Sequence, residues 1–264
     1  MEATVNDIVK IMDGIAPPNL AEAWDNVGLL VGRSDNTVKK IMVALDVSPE
    51  VAEQALEHKA QMIVSHHPVI FDPVKKMTDR TWQQKLLLDC AENKIAVYSA
   101  HTSLDSVLGG VNDVLAAQLG LLHTEVLVPA AGGEAGLGRV GCLPATLTLQ
   151  EFSEKIKAVL KLDRVVVGDA GQKVNKVALC GGAGADFISE ALAAGADTFV
   201  TGDVKYHTAQ NAVYSGLNII DATHQGTELP VINTLADRIA LRLTSGGFST
   251  QVLVAKESKI LQYL

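Results

Sequence analysis

The sequence predicts an α/β protein built as two α/β domains, with a largely parallel sheet in the first. Three observations carry that expectation. From Lys40 onward, short apolar runs alternate with helix-length amphipathic segments, the pattern of strand–helix–strand crossovers that generate parallel pairing. The chain has 264 residues, enough for one large domain or two smaller ones with real cores. A small-residue stretch, residues 129–136, then interrupts the alternation and is the best candidate for a boundary.

The elements follow in order. Ile8, Val9, Ile11, Met12 and Ile15 recur at helical spacing until Pro17-Pro18 stops them. A turn-rich segment, 24–32, surrounds a short apolar strand, and Trp24 and Asn26 read there as packing and turn residues. Residues 40–45 form a strand closing on Asp46. Ser48-Pro49 places an N-cap before proline at the first helical position, opening a helix to about His58. Strand 61–65, a helix containing Trp82 and Leu86 to Leu88, strand 95–99 and helix 111–119 continue the series. Beyond 136, strands are expected at 138–142, 165–167, 174–180, 198–201, 217–221 and 250–255. Helices are expected at 149–160, 186–194, 209–214 and 227–243.

Composition excludes several function classes. Hydrophobic residues make up 48% and charged residues 20% of the chain, values of an ordinary globular protein. No apolar run approaches the roughly 18 residues of a membrane span, and the start of the chain lacks a basic-then-apolar signal. Cys90, Cys142 and Cys180 lack paired spacing, which suits buried thiols in a reducing cytoplasm. A net charge of −8 opposes direct nucleic-acid binding, and 4% aromatic content is too sparse for a base-stacking platform.

Chemistry concentrates at strand ends. Residues 62–65 lead directly into His66-His67-Pro68. Neighbouring side chains in a strand point to opposite faces, so the two rings converge only where the chain leaves the sheet, a step favoured by Pro68. A second constellation, His101-Thr102-Ser103-Leu104-Asp105, also follows a strand, and so does Asp221-Ala222-Thr223-His224-Gln225-Gly226-Thr227-Glu228. In the last, Pro230 tolerates only a first helical turn, so Thr227 is the expected N-cap, with His224 in the loop and Glu228 in the first turn. Each cluster alone also suits a turn. Together, four of seven histidines follow strands with acids nearby, and mixed imidazole–carboxylate donors suit Zn, Fe, Mn or Ni. Five candidate donors, His66, His67, Asp105, His224 and Glu228, exceed one tetrahedral ion with an open position and fit two divalent ions.

Two further stretches are weaker. Gly181-Gly182-Ala183-Gly184 lacks the third glycine of a dinucleotide fingerprint, because Phe187 stands there, and reads as a tight strand-to-helix turn. Asp203, Lys205, Tyr206 and His207 form a polar knot after another strand.

These stretches together resemble the dinuclear metal-binding family of GTP cyclohydrolase 1 type 2 homologs, also called Ngg-interacting factor three proteins. The resemblance rests on Trp24-Asp25-Asn26-Val27-Gly28-Leu29, Ser65-His66-His67-Pro68, His101 to Asp105, Gly181 to Gly184, Thr201-Gly202-Asp203 and His224 to Glu228. It implies a first domain completed by the C-terminal segment, residues 1–128 with 220–264, around a second domain of 129–219. It also implies a homohexameric ring with metal sites facing its interior. The family's metal ligands fall on His66, His67, Asp105, His224 and Glu228, with His101 as a proton carrier. The chain resembles the short form of the family, the truncated insertion point falling at 129–136. A metal-dependent hydrolase of a nucleotide or other small phosphorylated molecule is expected. The alternatives are a metal-handling protein without turnover and a protein-interaction module.

Overall fold

The computed structural model describes residues 1–130 and 133–262. Ala131 and Gly132, inside the small-residue stretch expected to mark a boundary, lie outside the described residues. Contacts divide the chain into two compact units. Met1–Val107 and Ile232–Ile260 form the first, and Leu108–Val231 makes up the body of the second.

In the first unit, β1 (Ala3–Thr4) leads into α1 (Val5–Ile15), where Thr4 and Asp7 form a reciprocal capping box. There follow β2 (Gly28–Val31), β3 (Thr37–Val38), β4 (Lys40–Ala44), α2 (Pro49–Glu57), β5 (Met62–Ser65), α3 (Trp82–Glu92), β6 (Ala96–Ser99) and α4 (Thr102–Ser106). Ser48 caps α2 as its sequence predicts, its Oγ accepting from the Val51 N–H. The chain returns through α10 (Pro230–Ser245) and β13 (Gln251–Val254). The main sheet has the order β13-β4-β5-β6-β2, parallel throughout except for antiparallel β2 at its edge. Met42, Ala44, Ile63 and Val97 pack with helix residues Val51, Ala55 and Leu86 on one face. Their neighbours Ile41, Val43, Met62, Val64 and Tyr98 are buried on the other. Burial of both faces is why these strands read as unbroken apolar runs.

The second unit comprises α5 (Val111–Leu119), β7 (Leu122–Pro129), β8 (Gly136–Leu147), α6 (Leu149–Leu160), β9 (Val166–Gly168), β10 (Val174–Leu179), α7 (Ile188–Ala193), β11 (Thr198–Thr201), α8 (Tyr206–Tyr214), β12 (Asn218–Asp221) and α9 (His224–Glu228). Its six-stranded sheet runs β7-β8-β10-β11-β12-β9, with only β10, β11 and β12 mutually parallel. Val177, Val200 and Ile220 face one core with Phe152 and Ile156. Their chain neighbours Ala178, Phe199 and Ile219 face the other, the period of two expected of a sheet covered on both sides. Strand 138–142 is found within β8, but its hairpin partner β7 escapes sequence reading, because His123, Thr124 and Glu125 break its apolar alternation and are exposed.

Among the described residues, no helix is long and apolar enough to cross a membrane. Cys90, Cys142 and Cys180 form no disulfide, and burial pushes the Cys90 thiol up to about 11. Thr148 and Glu151 form a second capping box at the start of α6. Thr148→Ala is expected to cost about 1 kcal/mol, read as a lowered urea midpoint with an unchanged slope.

Candidate metal centre

In the first unit, β5 and β6 are paired in parallel with Ser65 opposite Ser99, so both strands end level. The Ser65 and Ser99 hydroxyls lie 2.8 Å apart, and both donate to the His67 carbonyl, at 2.8 and 3.2 Å. This polar knot turns the chain out of the sheet and brings His66, His67 and His101 together. Their ring centroids lie 5.0 to 5.7 Å apart, and each offers one nitrogen within 4.8 Å of the others.

Each ring is held from behind through Nδ1. In His66, Nδ1–H donates to the Ala100 carbonyl at 3.2 Å. In His67 it donates to Asp46 Oδ1 at 2.9 Å, and in His101 to Asp25 Oδ1 at 2.9 Å. A carbonyl or ionised carboxylate only accepts, so these contacts place a proton on Nδ1 and direct the Nε2 edge away from the acceptor. Outer carboxylates of this kind orient imidazole ligands in metal sites. Burial alone raises the Asp25 carboxyl, but hydrogen bonds from His101 and from the Thr102 hydroxyl and N–H outweigh it, holding the group far below the usual carboxylate range.

Helix α4 places Asp105 four residues after its N-cap, His101. Asp105 Oδ1 faces Nε2 of the fully buried His66 at 3.7 Å, beyond hydrogen-bond reach. That separation is near the ~3.4 Å between two donors of one tetrahedral ion with bonds of about 2.1 Å. The donor set of the first unit therefore fits a metal ion.

The second unit carries His224 and Glu228. The sequence predicts Thr227 as the N-cap and His224 in a loop; the structure corrects both. Thr223 is the N-cap, at φ 64°, its Oγ1 accepting from the Gly226 N–H, and α9 contains both candidate ligands. Pro230 ends this turn instead of standing inside it, since its missing N–H and its ring are incompatible with the preceding carbonyls. His224 and Glu228 thus share a helical face, Nε2 to Oε2 at 3.1 Å, with the Glu228 side chain 4% exposed. His224 Nδ1 donates to Asp203 Oδ2 at 2.7 Å, repeating the arrangement of the first unit and giving one member of the polar knot a role.

The Gly181 to Gly184 turn is a close approach rather than a dinucleotide loop. Gly182 adopts φ +65°, and a Cβ there would collide with Glu228 Oε1 and come within 3.2 Å of His224 Nε2. Only glycine combines that conformation with that space.

Of the two residues singled out in the segment 24–32, one departs from its sequence reading. Asn26 is a turn residue as expected, its Nδ2 donating to the Ile70 carbonyl at 2.6 Å. Trp24 is not a packing residue of the core, being 61% exposed, and stands edge-on to His101 at 6.1 Å. Sequence reading missed Asp25 and Asp46 as imidazole partners. The one available signal was their position, Asp46 directly after a strand and Asp25 in a turn-rich segment.

Gly182→Ala is expected to lower stability by about 1–3 kcal/mol and to displace the Glu228 carboxylate. Urea denaturation reads the first effect. A variant as stable as wild type contradicts the close approach.

The family model described as Duf34/NIF3 (NGG1p interacting factor 3) matches residues 3–259. A Clostridium perfringens protein named GTP cyclohydrolase 1 type 2 homolog is 37% identical over 257 residues, covering 97% of each chain. A Clostridium acetobutylicum protein of the same name is 36% identical over 261 residues, covering 98% of this chain and 97% of its own. The solved structure of a Bacillus cereus protein related to NIF3 superposes with a TM-score of 0.94 at 26% identity, covering 99% of both chains. The chain therefore belongs to the Duf34/NIF3 family.

Proposed function

We propose that the protein is a dinuclear metal-dependent hydrolase of a nucleotide or another small phosphorylated molecule. His66, His67, Asp105, His224 and Glu228 are the proposed ligands of two divalent ions, and His101 the proton carrier. One observation carries this reading. Each of the four imidazoles is held through Nδ1 by an oxygen acceptor of its own unit, which fixes the direction of its Nε2 edge. The mixed donors suit Zn, Fe, Mn or Ni. The relatives' name, GTP cyclohydrolase 1 type 2 homolog, supports a purine nucleotide as the substrate class.

Bound divalent ions supply Lewis acidity and lower the pKa of a coordinated water toward neutrality. The residues of the chain do the rest. Asp46, Asp25 and Asp203 keep three rings in one tautomer and one orientation. Asp25, ionised throughout the neutral range, stabilises the imidazolium formed when His101 Nε2 takes a proton. A cytoplasmic location belongs to the same reading.

Metal content per chain, measured by mass spectrometry after exhaustive dialysis, tests the ligand assignment. About two ions per chain are expected in wild type, and fewer than half as many in Asp105→Ala with its circular dichroism unchanged. Folded wild type that retains no ion, or variants at Asp105 and Glu228 that retain all of it, overturns the assignment. Retained metal without turnover across a nucleotide panel favours the metal-handling alternative.

We also propose that the chain assembles as a homohexamer. Support comes from large apolar residues left exposed in both units, among them Leu241 at 67% and Val166 at 59%. Light scattering is expected to give about six times the chain mass of 27.9 kDa. A monomeric mass refutes it.

A further inference from the structure

The first unit contains a cleft that the metal-centre reading leaves without a role. Its volume is about 570 Å³, within the range of small-molecule sites. His67 and its partner Asp46 form one end, Phe71, Val74 and Trp82 form apolar wall, and Lys75 and Lys76 stand in its lining. The chain has only two tryptophans, and neither is in a core. Trp24 is 61%, Trp82 57% and Phe71 55% exposed. Exposed aromatics on a protein this poor in them add little to folding, so their place beside an imidazole cluster points to a ligand.

The aromatic surface is continuous with the imidazoles. Phe71, a wall residue of the cleft, lies 6.0 Å from Trp24 and 6.4 Å from His101, ring centre to ring centre. The Asn26–Ile70 hydrogen bond ties the two segments that carry Trp24 and Phe71, so the pair is held and not merely adjacent. The charge is also local. On a chain of net −8, residues 68–80 carry Lys75, Lys76 and Arg80 against Asp72 and Asp79. Both lysines are exposed, and among the described residues neither engages in an ion pair or side-chain hydrogen bond. Two exposed ammonium groups lining the same cleft as an aromatic wall match an anionic group attached to a planar ring.

We propose that this cleft is a substrate-binding site for a small molecule with a planar heteroaromatic ring and a phosphate. Phe71 and Trp82 take the ring, and Lys75 and Lys76 take the phosphate. The assignment names the substrate class of the centre proposed above and rests on that reading.

Tryptophan fluorescence tests it directly, because both tryptophans lie at or beside the cleft. GMP and UMP are titrated into chelator-treated and metal-loaded protein, with guanosine and ribose 5-phosphate as ring-only and phosphate-only controls. Saturable quenching by both nucleotides is expected, with each control binding at least tenfold more weakly than GMP. Phe71→Ala and the double variant Lys75→Ala/Lys76→Ala, all at exposed positions, are expected to raise the nucleotide Kd at least tenfold while keeping wild-type circular dichroism. No saturable quenching, a Kd untouched by either variant, or ribose 5-phosphate binding as tightly as GMP overturns the proposal. Binding by the metal-free protein alongside failed metal retention sinks the hydrolase reading and leaves the cleft standing. Turnover with a KM unchanged in both variants does the reverse.

Discussion

An imidazole serves as a ligand or proton carrier in a fixed direction only when its other nitrogen is committed elsewhere. That commitment, Nδ1–H to an oxygen behind the ring, is the interaction on which the arrangement of this protein depends. It recurs at His66, His67, His101 and His224. The acceptors come from distant parts of the chain, Asp46 for His67, Asp25 for His101 and Asp203 for His224. None exists until the sheets have formed. The ring orientations are therefore a product of tertiary structure, and the direction of each Nε2 edge follows from them.

Strand register does the positioning. With β4, β5 and β6 in parallel and their ends level, the loops after β5 and β6 leave at the same edge, where open α/β sheets carry their chemistry. In the second unit, Thr201 pairs with Asp221, so the chain leaves β11 and β12 side by side. Asp221 then supports both exits, its carboxylate accepting from the N–H groups of Val204 and Thr223. Gly202 makes the approach possible, since a Cβ there would press on the backbone of Thr223 and His224. Gly182 and Gly202 are spaces reserved for α9 rather than parts of a phosphate loop.

Much of the fold was legible because local rules and burial agreed. Ser48-Pro49 opened α2, Thr148 with Glu151 opened α6, and the doubly buried strands read as plain apolar runs. Local rules failed where one long-range constraint outweighed them. At Thr223 the backbone accepts a positive φ to cap a short helix whose N-cap a nearest-proline argument places four residues later, at Thr227. In α4 five buried residues, Thr102 to Ser106, form a helical turn with no apolar period, because the strand before it and the Asp25 carboxylate fix its start.

The sequence by itself determined the α/β class, the parallel character of the first sheet, and the identity of the histidines and acids gathered at strand ends. Those features follow from composition, periodicity and turn chemistry, all of which act over a few residues. Tertiary structure alone decided which oxygen holds each ring through Nδ1, that His224 and Glu228 share one helical face, and that Trp24 and Phe71 stand exposed beside His101. Each of these depends on a partner tens of residues away or on a close approach between segments, and no local pattern along the chain encodes that distance.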